Sequence, residues 1–117
     1  MAVAFSELEL RLIDATVGKL CRDSSPPEHR DELRCVYDIE GHGVSVFEER
    51  PPWDGSPGEW TRAGVARFRY FRSRGEWTLY WMRADLEWHV FDDVPPTSDL
   101  AALVAVVDEN RYGAFWG

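Results

Sequence analysis

Six residues at alternate positions of predicted strands could form a ligand-binding surface. They are Arg67, Arg69, Tyr80, Met82, His89 and Phe91. Guanidinium groups bind carboxylates and phosphates through paired N–H donors, and they also stack on aromatic rings. Side chains two residues apart in a strand point to the same face. The spacing therefore predicts one mixed face of arginines and aromatic rings, which could grip a small anionic ligand or stack nucleic-acid bases.

A long loop precedes these strands and carries two further aromatic candidates, Trp53 and Trp60. Residues 51–63, PPWDGSPGEWTRA, are rich in Pro, Gly and Ser. A loop of this length that holds large aromatic side chains usually folds back on the domain. We therefore expect the loop to lie over the arginine and aromatic face, with Trp53 and Trp60 contributing to the site.

The same face has two explanations that need no ligand. The arginines can lie over neighbouring rings and pair with acids such as Glu49. Alternatively, a face with Phe71, Tyr80 and Phe91 is apolar enough to pack against a second copy of the chain. A ligand-free homodimer is therefore kept beside the binding module as an alternative.

A small enzyme is a further alternative, with His89 as a base and Arg67 and Arg69 as an anion clamp. A nearby arginine disfavours protonation of the imidazole. No carboxylate is predicted to orient the ring, because Asp92 points to the other side. Adjacent carboxylates in strands point to opposite faces, so they form no acid–base pair. A non-catalytic binding or interaction module is therefore the favoured prediction.

The histidines and cysteines predict neither a metal nor a cofactor. No two of His29, His42 and His89 share a ligand spacing. Cys21 ends a predicted helix and Cys35 points to the core side of a strand, so neither position stabilises a thiolate. We expect both thiols to be packing residues.

The elements that must position these residues follow from hydrophobic periodicity and turn signals. Residues 6–21 combine a capping box, Ser6 with Glu9, with an apolar stripe at helical spacing that includes Leu8 and Leu12. Strands are predicted at 33–40 and 44–50, and three more lie within 65–91. A second helix, capped by Thr97 or Ser98, runs to about residue 109. The predicted fold is α+β: an N-terminal helix, a five-stranded antiparallel β-meander and a C-terminal helix, with both helices on one sheet face.

The predicted turns fix the register of each hairpin. The first hairpin pairs Ile39 with Val44, Tyr37 with Val46 and Cys35 with Glu48. The second hairpin, with a turn at Arg74-Gly75, pairs Tyr70 with Leu79, Phe68 with Trp81, Arg69 with Tyr80 and Arg67 with Met82. The third hairpin, with a turn at Asp85-Leu86, pairs Trp81 with Val90, Met82 with His89 and Tyr80 with Phe91. These registers put Trp88 and Val90 on the core face, and His89 and Phe91 on the outer face.

Composition limits the classes of function. The 117 residues are 44% hydrophobic, which predicts one domain, 1–117, with a core of its own. The net charge of −8 argues against nucleic acid or an anionic membrane as a partner. No signal peptide or membrane-spanning run is present, so we expect a cytoplasmic protein with reduced thiols. The partners that remain are a second copy of the chain or a small anionic ligand.

Short segments spread along the chain carry a resemblance to a known family. They are Phe5-Ser6-Glu7, Pro26-Pro27 with Arg30 and Leu33, FEERPPW at 47–53, ARFRY at 66–70, WTLYW at 77–81, Asp85 with Trp88-His89, and 113–117. With these segments the chain resembles domain of unknown function 3024, an uncharacterised family of small bacterial proteins. The resemblance implies no assigned activity. The chain departs from the family pattern at Leu86, where a glycine is expected, and we expect the strand faces to be unaffected.

Overall fold

The computed structural model describes residues 4–24, 33–52, 54 and 57–116, and it confirms the predicted α+β fold. The helical segments are α1 (Glu7–Ile13), a π-helical turn (Asp14–Gly18), α2 (Lys19–Ser24), α3 (Leu100–Asp108) and a 3-10 helix (Arg111–Gly113). The strands are β1 (Arg34–Glu40), β2 (Gly43–Arg50), β3 (Thr61–Phe71), β4 (Glu76–Met82) and β5 (Trp88–Val90). The strands form one antiparallel sheet in the order β1-β2-β3-β4-β5, as predicted for a meander.

The N-terminal helix begins with the predicted capping box. The Glu9 backbone N–H donates to Ser6 Oγ at 3.2 Å, and the Ser6 N–H donates to Glu9 Oε1 at 2.8 Å. These bonds satisfy two backbone donors that a helix end leaves without intrahelical partners. Arg72, from the turn between β3 and β4, also binds the Glu9 carboxylate at 2.9 Å and the Ala4 carbonyl at 2.6 Å. The helix start is thereby tied to the sheet.

The apolar stripe of this helix is shorter than predicted. Ile13 and Val17 are fully buried, but Leu8 is 75% exposed and Leu12 is 44% exposed. The prediction that Leu8 and Leu12 face the core is therefore wrong. The π-helical turn is the physical reason, since its wider turn changes the angle between the residues before and after it.

One face of the sheet, the inner face, packs against the helices and forms the core. The sheet contributes Val44, Val46, Ala66, Phe68, Trp77 and Leu79, and the helices contribute Ile13, Val17, Leu20, Leu100, Leu103 and Val107, all buried. Each fully buried aliphatic or aromatic side chain stabilises the fold by about 1.5–3 kcal/mol. The opposite face is called the outer face below.

The three hairpins differ in how well their registers were predicted. The first is confirmed, because Gly41 and His42 form the expected two-residue turn. The second is shifted by two residues, so that Phe68 lies opposite Leu79, since its turn spans residues 72–75. A shift of two leaves every side chain on its predicted face.

The third hairpin is shifted by one residue, and this shift exchanges the faces of β5. Trp81 lies opposite His89, and Met82 lies opposite Trp88. The loop holds three residues, 84–86, because Arg83 pairs with Glu87 through a hydrogen bond of 3.2 Å. A three-residue hairpin loop with a left-handed last residue has this geometry.

The C-terminal helix is capped by Asp99, whose side chain accepts a hydrogen bond from the Ala102 N–H. The predicted caps, Thr97 and Ser98, are therefore wrong. Thr97 instead extends the sheet, because its N–H and carbonyl both bond to the backbone of Trp77. The chain end then docks on the body as predicted, with Phe115 95% buried.

In the part of the chain that the structure describes, no helix has both the length and the apolar character needed to cross a membrane.

Candidate functional site

The centre of the outer face holds a cationic patch made by three adjacent strands. Its members are Ser45, Arg67, Arg69, Thr78 and Tyr80. The register places Arg67 between Ser45 and Tyr80, and it places Arg69 beside Thr78. Arg67 and Arg69 are two residues apart on β3, so their Cα atoms are about 6.6 Å apart. Two guanidinium groups and three hydroxyl groups thus lie on one surface.

A glycine gives the Arg67 side chain its position. Gly43 lies on β2 opposite Arg69, one row along the strands from Arg67. A Cβ atom at residue 43 would lie 2.6 Å from Arg67 Nη2 and 3.0 Å from its Cζ. The guanidinium therefore lies in the space that a larger residue at this position would fill. Because Gly43 has no side chain, Arg67 can lie flat on the sheet.

The two patch arginines have no acidic partner among the described residues, whereas other arginines do. The ion-paired arginines are Arg11 with Glu7, Arg22 with Asp14, Arg50 with Glu48, Arg62 with Asp38 and Glu49, Arg72 with Glu9, Arg74 with Glu76, and Arg111 with Asp93 and Glu109. Arg69 lies 5.0 Å from the centre of the Phe71 ring. Its cation is therefore stacked on a ring, and it remains available to an anion.

Glu49 was the acid expected to neutralise the patch, and it is bound elsewhere. Arg62 binds Glu49 at 3.0 Å and Asp38 at 2.6 Å, while its guanidinium lies 4.6 Å from the centre of the Phe47 ring. Hydrogen bonds to these two carboxylates raise the pKa of Arg62. Glu49 and Asp38 are therefore held by Arg62 and do not pair with the patch arginines.

Apolar side chains form the neighbouring part of the outer face. Met82 and Trp88 lie over Gly64, where a Cβ atom would be 2.7 Å from Met82 Sδ and 2.9 Å from Trp88 Cη2. Trp88 also contacts Phe47, with ring centres 6.2 Å apart. The predicted residue Met82 is thus on the predicted face, one row along the strands from Tyr80. An apolar surface borders the cationic patch on this side.

Two predicted site residues, His89 and Phe91, lie on the inner face, so their assignment to the outer face was wrong. Phe91 is only 6% exposed and contacts Phe115, with ring centres 5.0 Å apart. His89 lies opposite Trp81 at the edge of the inner face. The one-residue shift of the third hairpin is the cause.

Trp60, the loop aromatic that the structure describes, does not lie at the cationic patch. Trp60 packs under Arg34, whose Cζ lies 3.8 Å from the ring centre. It directly precedes Thr61, and Thr61 is eight residues before Arg69, about 26 Å in an extended strand. Trp60 therefore marks the far end of the outer face. Trp53, the other predicted loop residue, lies outside the described residues.

His89 has a carboxylate partner that sequence reasoning missed. Its Nε2 atom lies 2.8 Å from Asp85 Oδ2, and the other Asp85 oxygen accepts a bond from the Glu87 N–H at 3.0 Å. The backbone bond from Glu87, followed by the contact with His89, lowers the pKa of Asp85. The ligand atoms of Asp85, Glu87 and His89 lie within 4.8 Å of one another, so these three groups could share a cation. They belong to an exposed turn in which Asp85 is already bound by its neighbours.

The sequence did not identify Ser45 and Thr78 as members of the patch, nor Gly43 as the residue that makes room for Arg67. Ser45 is 7% exposed and Thr78 is 8% exposed, although both are polar. The positions of Ser45 and Gly43 beside the arginines depend on the pairing of β2 with β3, which crosses the long loop and cannot be set by a short turn. Thr78 is placed opposite Arg69 by the hairpin of β3 and β4. The available signal was the phase of β2, because Ser45 is two residues from Phe47 and shares its face.

The fold and the patch together define a class: a small α+β domain with helices on one face of a meander sheet and a cationic patch on the other. A family model described as a domain of unknown function, DUF3024, matches residues 5–117, and the chain belongs to this family. The resemblance seen in the sequence is thereby confirmed. No curated protein and no solved structure matches the chain.

Proposed function

We propose that the protein is a non-catalytic binding module whose cationic patch takes a small anionic ligand. The observation that carries this proposal is that Arg67 and Arg69, adjacent on one face, lack acidic partners among the described residues while other arginines of the chain have them. Arg67 is half-buried and Arg69 is exposed, so a bound anion can reach both guanidinium groups and form charge-assisted hydrogen bonds with them.

The chemistry of the patch favours a ligand with two or more negative charges. Each guanidinium offers five N–H donors in a fixed plane, and the hydroxyls of Ser45, Thr78 and Tyr80 add donors around it. The apolar surface of Met82 and Trp88 next to the patch can accommodate a ring on the same ligand. A phosphorylated or polycarboxylated small molecule fits this combination better than a long nucleic acid, since the chain carries a net charge of −8.

The enzyme alternative, with His89 as base and Arg67 and Arg69 as clamp, is not supported. The registers of β3, β4 and β5 put His89 on the inner face and both arginines on the outer face. A base must reach the atom it deprotonates at hydrogen-bonding distance. One ligand on the outer face therefore cannot meet all three side chains.

The test is a titration of the protein with inorganic phosphate, pyrophosphate, ATP, citrate and a short single-stranded oligonucleotide. Tryptophan fluorescence and the shift in melting temperature report binding. We expect binding of at least one small polyanion, a loss of about tenfold or more in the Arg67→Ala/Arg69→Ala variant, and weaker binding at high salt. The matched control is Arg11→Ala/Arg50→Ala, which removes the same charge from two ion-paired arginines and should bind like the wild type.

A second variant tests the position of Arg67 while keeping its charge. In Gly43→Ala the new methyl group displaces the guanidinium, so affinity should fall several-fold without loss of fold. The proposal is rejected if no probe binds the wild type, or if both arginine double variants bind equally well. Sedimentation velocity at two concentrations tests the dimer alternative. A dimer that dissociates in Arg67→Ala/Arg69→Ala would assign the face to self-association.

A further inference from the structure

The two cysteines of the chain meet between a helix and the sheet. Cys21 lies on α2 and Cys35 lies on β1, and neither forms a disulfide in this structure. They are 5% and 7% exposed, respectively. A side-chain hydrogen bond joins the Cys35 thiol to Cys21. Helix and strand thus hold two reactive groups side by side, although the sequence separates them by 14 positions.

The thiols also line a cavity, so they are not enclosed by packing on all sides. The cavity has a volume of about 390 Å³. It is lined by Gly18, Cys21, Arg22, Arg34, Cys35, Val36 and Tyr37. Arg22 at its wall is paired with Asp14 at 3.2 Å, and Tyr37 donates to the same Asp14 oxygen at 3.1 Å. A small polar molecule such as a peroxide fits this space.

We propose that Cys21 and Cys35 form a reversible dithiol–disulfide site that is oxidised by hydroperoxides. The Cys21 sulfur attacks the terminal OH oxygen of the peroxide, the O–O bond breaks, and Cys21 becomes a sulfenic acid while the other oxygen takes up the proton of the Cys21 thiol and leaves as an alcohol or water. The Cys35 sulfur then attacks the Cys21 sulfur, and the sulfenic oxygen leaves as water with the Cys35 proton. The sulfurs lose two electrons in total and the peroxide gains them. Thiol reductants reverse the change.

The surroundings of Cys35 disfavour its ionisation. The hydrogen bond with Cys21, followed by burial, raises the pKa of the Cys35 thiol. Glu48, which lies opposite Cys35 on β2, acts in the same direction because its negative charge also opposes ionisation of Cys35. We therefore assign the first attack to Cys21 and the closing of the disulfide to Cys35.

The experiment treats native protein with stoichiometric hydrogen peroxide and follows it by intact-mass and peptide mass spectrometry. We expect a mass loss of two hydrogen atoms, a cross-linked peptide pair joining Cys21 to Cys35, and full reversal by dithiothreitol. Because the bond restricts the unfolded chain, the oxidised protein should melt on the order of 10 °C higher. Thiols that react only after unfolding in urea, disulfides between two chains, or sulfinic acid without the internal bond would each overturn the proposal.

Single variants separate the two roles. In Cys35→Ser, peroxide should leave a sulfenic acid at Cys21 that dimedone labels, since the second thiol is missing. In Cys21→Ser, Cys35 should remain unlabelled at the same dose. Labelling of Cys35 at the rate of Cys21 would contradict the assigned order of attack. Circular dichroism of both variants checks that they are folded, and the site is independent of the cationic patch.

Discussion

At the scale of single residues, Leu86 occupies a backbone conformation that residues with a Cβ atom rarely adopt. Its φ is +63°, and its side chain is 77% exposed. It closes the loop between β4 and β5 with a hydrogen bond from its N–H to the Arg83 carbonyl at 2.9 Å. The left-handed conformation costs such a residue about 1 kcal/mol or more relative to glycine. Little packing offsets this cost, because the side chain lies in solvent.

We therefore predict that Leu86→Gly raises the free energy of unfolding by about 1 kcal/mol. The control is Leu86→Ala, which removes the exposed side chain but keeps the unfavourable conformation, so it should change stability by less than about 0.5 kcal/mol. Urea unfolding followed by fluorescence measures both. A Leu86→Gly variant less stable than Leu86→Ala would show that the loop is not strained.

The partners of individual arginines are the part of the site that the sequence could not supply. Alternation placed Arg67, Arg69, Tyr80 and Met82 on one face correctly. It could not show that Glu49 binds Arg62 at 3.0 Å and leaves the patch without an acid. Long side chains reach several neighbours, and the choice depends on rotamers and on cross-strand distances that a strand pattern does not contain.

At the scale of elements, turn length decided which predictions succeeded. The strands themselves could be predicted, because aromatic and β-branched residues alternate along them. The pairing register of the strands could not always be predicted, because the residues between two strands can form turns of two, three or four residues. An error of two in the second hairpin changed no face. An error of one in the third exchanged His89 and Phe91 with Trp88 and Val90. The site prediction therefore failed at the hairpin whose register was predicted wrongly by one residue.

The N-terminal helix gives a prediction about pH. Its Glu9 carboxylate is bound first by Arg72 and then by the Ser6 N–H, and these bonds lower its pKa from 4.5 to about 2. A carboxyl whose pKa is lowered on folding stabilises the protein above the ordinary pKa. That contribution is lost as the pH falls from about 4.5 towards 2.

We expect Glu9→Gln to destabilise the protein by about 1 kcal/mol at neutral pH, because solvent screens the partly exposed pair. Glutamine still caps the helix, so the variant removes the charge and keeps the cap. Urea unfolding at several pH values should show the difference from wild type shrinking below about pH 4.5. Glu7→Gln, which affects an ion pair with side chains 82% and 72% exposed, is the control and should change little. A difference that is constant with pH would mean that the carboxylate charge is not responsible.

At the scale of the whole molecule, the two faces of the sheet have different chemistry. The inner face is covered by helices, and Val44, Val46, Phe68 and Leu79 at its centre are buried. The outer face collects Arg67 and Arg69 at its centre in a chain of net charge −8. At physiological salt, charges on an exposed surface are screened beyond about 8 Å. A ligand at the patch therefore responds to the local arginines more than to the acids elsewhere.

The assignment of faces can be tested at two adjacent residues of opposite exposure. Phe91 is 6% exposed and packs against Trp81 and Phe115, so it links the sheet to the docked chain end. Val90 is 51% exposed on the outer face. Removal of a buried aromatic ring leaves a cavity and costs about 3–5 kcal/mol, whereas truncation of a half-exposed valine costs less than about 1 kcal/mol.

We predict that Phe91→Ala lowers the free energy of unfolding by about 3 kcal/mol or more, and that Val90→Ala lowers it by less than about 1 kcal/mol. Urea unfolding of both variants gives the comparison, and Phe91→Leu keeps the measurement possible if the alanine variant fails to fold. With the two-residue turn expected from the sequence, Val90 would be buried and Phe91 exposed. If Val90→Ala proved more destabilising than Phe91→Ala, the register predicted from the sequence would be correct, and His89 would lie on the same face as Arg67 and Arg69.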